Sequence, residues 1–434
     1  MIFHEVEWLR SRSSVLCPKL RRCIVEKYRL NRYVPCFLQT QATRWRNSHT
    51  KIPVIIQGKQ NIRNTHRQLM RVLSENKIKH RLSIVGSIAA ELKITEIQAL
   101  AKENWIEKIW LDNEVHAVLD IAGGAAGADR VWEWGFTGEG ITVAVLDTGI
   151  HPHPDLIEPE KRIVTFYDLV NKKSLPYDDN GHGTHVAGDI AGNGGKSQGK
   201  YKGTAPRSNL VGIKVLDKNG AGLSSNVIAG IQWCIDNKDK YNIRVINMSL
   251  GTAPNGSYKE DLVAIAAAKA WEAGIVVCAA AGNEGPEGGT ISSPGIHPAI
   301  ITVGAIDDRN TKERSDDIIA EFSSRGPTVD GLIKPDIVAP GTDIISLRAA
   351  GSTSDRELKK NRVGKWYFTM SGTSMATPIC AGIVATLVQL HPDYKPDQIK
   401  RLLLETAEDL KLDRKIQGQG YVDAFKAVST INKV

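Results

Sequence analysis

Four short stretches hold side chains that could together carry out acyl transfer. Asp147 closes the apolar run 143–146 and is followed by Thr148 and Gly149. A carboxylate at a strand end beside a turn can be held rigidly and can accept a hydrogen bond from an imidazole. Taken alone, the same residue is equally well a helix cap or a turn former. His182 sits in the string NGHGTHVAG (180–188), where glycines on both sides let a substrate backbone come close. His182 and His185 also have a spacing compatible with metal ligation, but no third ligand lies nearby. Ser374 lies in GTSMATP (372–378), just ahead of the apolar helical run 379–390. There it is either an N-cap or a nucleophile whose neighbouring amides and helix dipole face a developing oxyanion. Pro378 fits a first helical turn, where a missing N–H costs little. Asn283, in AAAGNEG (279–285) directly after a buried strand, offers a side-chain amide as a second oxyanion donor, or else a plain turn.

The strings VAVLDTG (143–149), NGHGTHVAG, AAAGNEG and GTSMATP, in that chain order, resemble the subtilisin family of serine proteases. The resemblance covers residues 129–428. It implies that Ser374 attacks the peptide carbonyl and that His182 takes and returns the proton. Asp147 would orient His182, and Asn283 with the Ser374 N–H would hold the oxyanion. It further implies that Ser249, Leu250 and Gly251 form one edge strand along the substrate, with Gly220 and Gly222 on its other side and Gly282 also binding substrate. Substrate would bind as an added strand, a mode that reads side chains weakly and predicts broad specificity. Ser224 stands where many relatives have a larger aromatic wall. Residues 350–365, with Arg356, Lys359, Lys360 and Arg362, lengthen the approach to the serine motif beyond that of short members; such a loop could regulate access or do nothing. The chemistry requires no cofactor and no catalytic metal. Structural calcium is compatible with the loop 192–203, although its residues match the usual ligand pattern poorly.

The elements that must position these groups follow from periodicity. Apolar runs at 141–146, 210–215, 245–249, 275–280 and 299–303 read as buried strands, and 182–191, 225–237 and 261–273 as helices. Strands of this kind separated by helices predict an α/β fold, a mostly parallel sheet covered on both faces. Upstream, 52–57, 82–88 and 106–111 read as strands and 62–73 and 95–103 as helices, a small α+β unit. Residues 51–119 resemble the propeptide of the same family, which folds the protease and then blocks its cleft. Processing is expected near Leu119, with residues 113–119 lying in the cleft as a product-like strand; a permanently attached structural domain is the alternative. The Gly/Ala-rich stretch 120–128 reads as a linker and 129–430 as the catalytic domain.

Of the chain's formal charge of +8, the first fifty residues supply most, with ten Lys or Arg against three acids. Short helices over 5–12 and 20–30 are expected there, but no clear core, so residues 1–48 read as a solvated basic extension. No nucleic-acid module accompanies that charge, and no stretch reaches the roughly 18 apolar residues needed to span a bilayer. An apolar secretory segment is missing from the first 33 residues, and the six cysteines show no CxxC pair, which together favour a reduced, cytoplasmic location over release or uncommon export. Protein or peptide substrates and the chain's own propeptide-like segment are the expected partners. A catalytically silent binding protein on the same scaffold is the rival reading, since fold alone does not prove activity.

Overall fold

Runs of β-branched and apolar residues at 51–58 and 87–93 pair because each can bury one face of an antiparallel ladder. In the computed structural model, which describes residues 7–29, 46–59, 61–74, 77–117, 126–254, 256–309, 311 and 314–430, these runs belong to the first of two compact units, Met1–Asn113 and Glu114–Val434. In the first unit, β1 (Lys51–Gly58), β2 (Ile78–Leu82), β3 (Ser87–Lys93) and β4 (Ile106–Leu111) form an antiparallel sheet in the order β2-β3-β1-β4. The helices Ile62–Val72 and Ile94–Leu100 link them, the first capped by Asn61, whose side chain accepts from the Asn64 N–H.

Two expectations are corrected here. The strand expected over 82–88 is the turn between two strands: a 3-10 segment, Ser83–Val85, and left-handed Gly86 separate β2 from β3. The basic N-terminal segment is also more than a solvated extension. Its helix Pro18–Arg29 turns Leu20 and Ile24 inward, both fully buried, and Leu16 makes a parallel bridge to Ile109 of β4. The i, i+4 pair was hidden among basic residues that cover the helix's opposite face.

The second unit is built on an eight-stranded sheet. Its strands are β6 (Thr142–Asp147), β7 (Ile163–Asp168), β8 (Asn209–Lys214), β10 (Ile243–Met248), β12 (Val276–Ala280), β13 (Ile301–Asp307), β14 (Ile318–Ile319) and β15 (Ile337–Pro340). Their order is β14-β13-β12-β10-β6-β8-β7, with β15 also on β13, and all pairs are parallel except β13 with β14. The strand expected over 299–303 starts two residues later, at Ile301. Helices Ser224–Asp236 and Leu262–Glu272 pair across one layer, and His182–Ala191 and Thr373–Leu390 across another, which gives the expected mostly parallel sheet with helical cover. The chain leaves central β6 toward β8 and β7 on one side and β10 to β13 on the other. The crevice at the carboxyl ends of β6 and β10 is where such sheets place ligands.

Two small antiparallel sheets flank this crevice: β5 (Glu114–Ala117) between β9 (Ala221–Leu223) and β11 (Leu250–Gly251), and β16 (Ile344–Leu347), β18 (Tyr367–Met370) and β17 (Arg362–Val363) in that order. The helix Thr373–Leu390 is long and apolar enough to cross a membrane, yet 89% of it is buried inside the unit, as befits its central core helix. Among the described residues, the cysteines Cys17, Cys23, Cys234, Cys278 and Cys380 are free. Cys36, Leu119 and residues 120–125 of the expected linker lie outside the described residues, and Ala128, its last residue, already opens the short helix Ala128–Trp132.

Candidate active site

Asp147 is the last residue of β6, with no solvent exposure. Its Oδ1 accepts the Thr148 N–H at 2.7 Å and lies 2.7 Å from His182 Nδ1. The carboxylate thereby holds the imidazole proton on Nδ1 and makes Nε2 the basic nitrogen. His182 opens the helix His182–Ala191. Gly183 lets this helix approach β6 closely, for a Cβ there would sit 2.2 Å from Gly149 O and 3.1 Å from Asp147 Oδ1.

A second carboxylate, which sequence reasoning missed, ties this arrangement together. Asp178 accepts from the Asn180 N–H (3.1 Å), the Gly181 N–H (2.8 Å), the Thr184 N–H (2.9 Å) and hydroxyl (2.6 Å), and the Thr148 hydroxyl (2.9 Å). It thus satisfies orphan donors at the start of the histidine helix and couples that helix to the turn after Asp147. Fully buried Lys214 adds a second link, donating to Thr148 O, Asp179 Oδ1 (2.7 Å) and Leu216 O (2.8 Å). His185 is engaged elsewhere: Nδ1 lies 3.0 Å from Asp189 Oδ2 and Nε2 3.0 Å from Ile344 O, so both ring nitrogens have protein partners.

Ser374 is the second residue of the helix Thr373–Leu390, so its N–H is among the four amides with no intrahelical acceptor. Its Oγ donates to Ser249 O at 3.1 Å, and Ser249 Oγ donates to Ser374 O at 2.7 Å. The helix starts earlier than the run 379–390 suggested, which puts Pro378 at its sixth position, past the first turn. Proline removes the donor that Ser374 O would meet in an unbroken helix, and the Ser249 hydroxyl replaces it. Asn283 follows β12 and is half-buried. Its Oδ1 accepts from the Thr373 N–H (3.0 Å) and hydroxyl (2.8 Å), and the Gly282 N–H donates to the same hydroxyl at 3.3 Å. With its oxygen committed, Asn283 presents its NH2 as donor beside the helix N-terminus, the arrangement an oxyanion requires. Thr373 therefore has a positioning part that its motif contained but local reading did not separate out.

The flanking strands contain a strand of the chain itself. Val115 stands opposite Gly222 and His116 opposite Ala221 on one side; His116 stands opposite Gly251 and Ala117 opposite Leu250 on the other. Gly220 stands one residue before β9 in a turn, its N–H on Asp217 O at 3.0 Å, so residues 221–223 carry the pairing on that side. Ser224 is buried as the first residue of its helix.

A buried Asp–His bond, a serine at a helix N-terminus and an anchored amide at the carboxyl ends of a parallel sheet define the class. The sequence profile of the subtilase family matches residues 138–422, and the chain belongs to that family. It is 45% identical to serine protease AprX of Bacillus subtilis, with 98% of each chain covered. It is 34% identical to a thermostable alkaline protease of Halalkalibacterium halodurans, over 80% of this chain and 84% of that one. Among solved structures it matches fervidolysin of Fervidobacterium pennivorans, a keratinolytic enzyme related to subtilisin, at TM-score 0.69 and 26% identity; the match covers 88% of this chain and 61% of that one. The chain is accordingly a serine endopeptidase acting on peptides or proteins, and the silent-scaffold reading is not favoured.

Proposed function

We propose that the enzyme cleaves proteins through an acyl-enzyme formed on Ser374, and that residues 51–119 act as its propeptide. The single observation that carries the catalytic assignment is the 2.7 Å contact between His182 Nδ1 and buried Asp147 Oδ1. It leaves His182 Nε2 to take the Ser374 hydroxyl proton as Oγ attacks the carbonyl carbon, and later to pass that proton to the leaving amine. The Asn283 NH2 and the Ser374 N–H stabilise the oxyanion of the tetrahedral intermediate. Water, deprotonated by the same imidazole, then releases the acyl group.

The propeptide reading is supported by β5, which lies antiparallel between β9 and β11 as a substrate would and runs toward Ser249. Processing near Leu119 would leave Glu114–Ala117 in the product position. Recognition through backbone pairing on both sides supports broad specificity.

The chemistry needs no cofactor. Structural calcium on the loop 192–203 fits the residues poorly, because the neighbouring carboxylate is already used. Asp155 Oδ1 accepts the Lys196 N–H (2.9 Å), Oδ2 accepts the Tyr367 hydroxyl (2.6 Å), and Lys196 Nζ pairs with Glu158 (2.7 Å). These internal donors hold the loop where an ion would otherwise be needed.

The test compares wild type with Ser374→Ala for casein hydrolysis and for intact mass. Cleavage and trimming near Leu119 by the wild type alone support both assignments. Equal activity of the two proteins removes Ser374 from its role, and an active wild type that keeps its full mass removes the propeptide reading.

A further inference from the structure

The insertion 350–365 joins β16 to β18, the strand that leads directly to Ser374. It is closed on itself by one carboxylate. Asp355, 3% exposed, accepts at Oδ1 from Arg348 Nε (2.6 Å) and Arg362 Nε (2.7 Å). At Oδ2 it accepts from Arg348 Nη2 (3.1 Å) and the Gly351 N–H (2.8 Å), while Arg362 Nη2 donates to its backbone carbonyl at 2.7 Å. Burial by itself pushes the Asp355 carboxyl up, but the bonds from Arg348, Gly351 and Arg362 outweigh it and hold it down at about 2. The clamp is therefore charged on both sides throughout the range in which a serine protease works.

What the clamp holds in place is the first turn of a short helix, Thr353–Glu357, capped by Ser352. The amides of such a turn have no partners within the helix and are usually satisfied by caps or water. Here two of them reach the segment immediately before His182. The Thr353 N–H donates to Asp179 O at 2.9 Å, supported by its hydroxyl at 3.2 Å, and the Ser354 N–H donates to Asn180 O at 2.9 Å. Ser352 closes against Gly181, where a Cβ would lie 2.7 Å from its Oγ. Asn180 Oδ1 in turn accepts the His182 N–H at 3.1 Å. Gly181, at φ +107°, gives this segment no stiffness of its own. Asp178 fixes the segment from the inside, and the insertion fixes it from the outside.

We propose that residues 348–362 form a strap that positions His182, with Asp355 as the positioning residue at its centre and the Thr353 and Ser354 amides as the points where it acts. This rests on the reading of His182 as general base. The strap touches no reacting atom; it narrows the range of imidazole poses, so its loss should appear in turnover more than in substrate binding.

The decisive variant is Thr353→Pro. Position 353 is the first helical residue and Ser352 is extended (φ −66°, ψ 169°), so proline is sterically accepted there while the N–H and hydroxyl that hold Asp179 O are removed. Assayed on active-site-titrated enzyme, Thr353→Pro is expected to lower kcat by about 5- to 20-fold with KM within about twofold. The downfield proton resonance of the Asp147–His182 bond should shift or broaden in step. Thr353→Val, which keeps the N–H, should retain at least about half of wild-type kcat, and the exposed strap variant Arg356→Ala should match wild type. Asp355→Asn should act in the same direction as Thr353→Pro, which alone decides the matter if Asp355→Asn fails to fold. A Thr353→Pro enzyme with wild-type kcat per titrated site and an unchanged resonance overturns the proposal. His182→Ala, run in parallel, separates the two readings. If it stays active, the general-base assignment falls and takes the strap with it; if it is inactive while Thr353→Pro is normal, only the strap is lost.

Discussion

Ser249 and Ser374 are joined by two reciprocal hydrogen bonds, Ser374 Oγ to Ser249 O at 3.1 Å and Ser249 Oγ to Ser374 O at 2.7 Å. The second exists because Pro378 cannot donate to Ser374 O. Ser249→Ala should leave that buried carbonyl unsatisfied and destabilise the unit by about 1–3 kcal/mol. Urea unfolding in a Ser374→Ala background, where autolysis is absent, measures this; a change below about 0.5 kcal/mol would mean that the carbonyl finds another donor.

Thr373 anchors the Asn283 amide by its hydroxyl as well as its N–H. Asn283→Leu should lower kcat by about 10²- to 10³-fold, the magnitude found in subtilisin when such a donor is removed. Thr373→Val keeps the N–H bond and should cost about 5- to 10-fold, with KM nearly constant in both. Equal losses from the two variants would show that Thr373 has a larger part than orienting Asn283.

Asp178 accepts five hydrogen bonds, four from the segment around His182 and one from the Thr148 hydroxyl. Asp178→Ala should therefore destabilise the unit by about 2–4 kcal/mol, more than removal of a single cap. Chemical denaturation in the Ser374→Ala background reports it, and a loss no larger than one cap would contradict the network's cooperativity.

Activity and strap stability should separate along the pH scale. His182 must be neutral to act as base, so kcat/KM should rise with pH as the imidazolium gives up its proton. Asp355, held at about 2 against an ordinary value of 3.8, binds its proton less readily in the folded than in the unfolded state. Its contribution is complete above about pH 4 and is lost as pH falls through about 2. The Tm difference between wild type and Asp355→Asn should stay constant from pH 5 to 8 and narrow between 4 and 2. Narrowing already at pH 6 would mean that another group controls the clamp.

Excess chelator should leave thermal stability nearly unchanged, because the donors around Asp155 come from Lys196 and Tyr367. A Tm fall of more than about 5 °C would restore a structural calcium ion to the loop 192–203.

The groups proposed for chemistry were legible because each carries a local signature. Asp147 ends an apolar strand, His182 and Ser374 open helices among glycines and small residues, and Asn283 follows a buried strand, so the end of a continuous apolar run or a glycine-rich string at a helix start marks each position. Thr373 lay within one of these motifs and Asp178 beside another, yet neither could be assigned, since Thr and Asp near a helix start are ordinary caps. The β2–β3 turn was misplaced because 82–88 is apolar enough to read as one strand. Leu16, Leu20 and Ile24 were overlooked because basic neighbours masked a narrow buried face.

The sequence by itself determined which residues stand at the ends of strands and the starts of helices, since backbone propensity and apolar periodicity act over a few residues. Only the tertiary structure decided the register in which Glu114–Ala117 pairs with β9 and β11, that the Ser249 hydroxyl replaces the donor Pro378 lacks, and that Thr353 and Ser354 reach the carbonyls before His182. Those contacts join segments more than a hundred residues apart, and all but the Ser249 hydroxyl do so through backbone amides and carbonyls that nearly every residue type shares. No side-chain pattern announces them, and their partners are selected only when the whole sheet has formed.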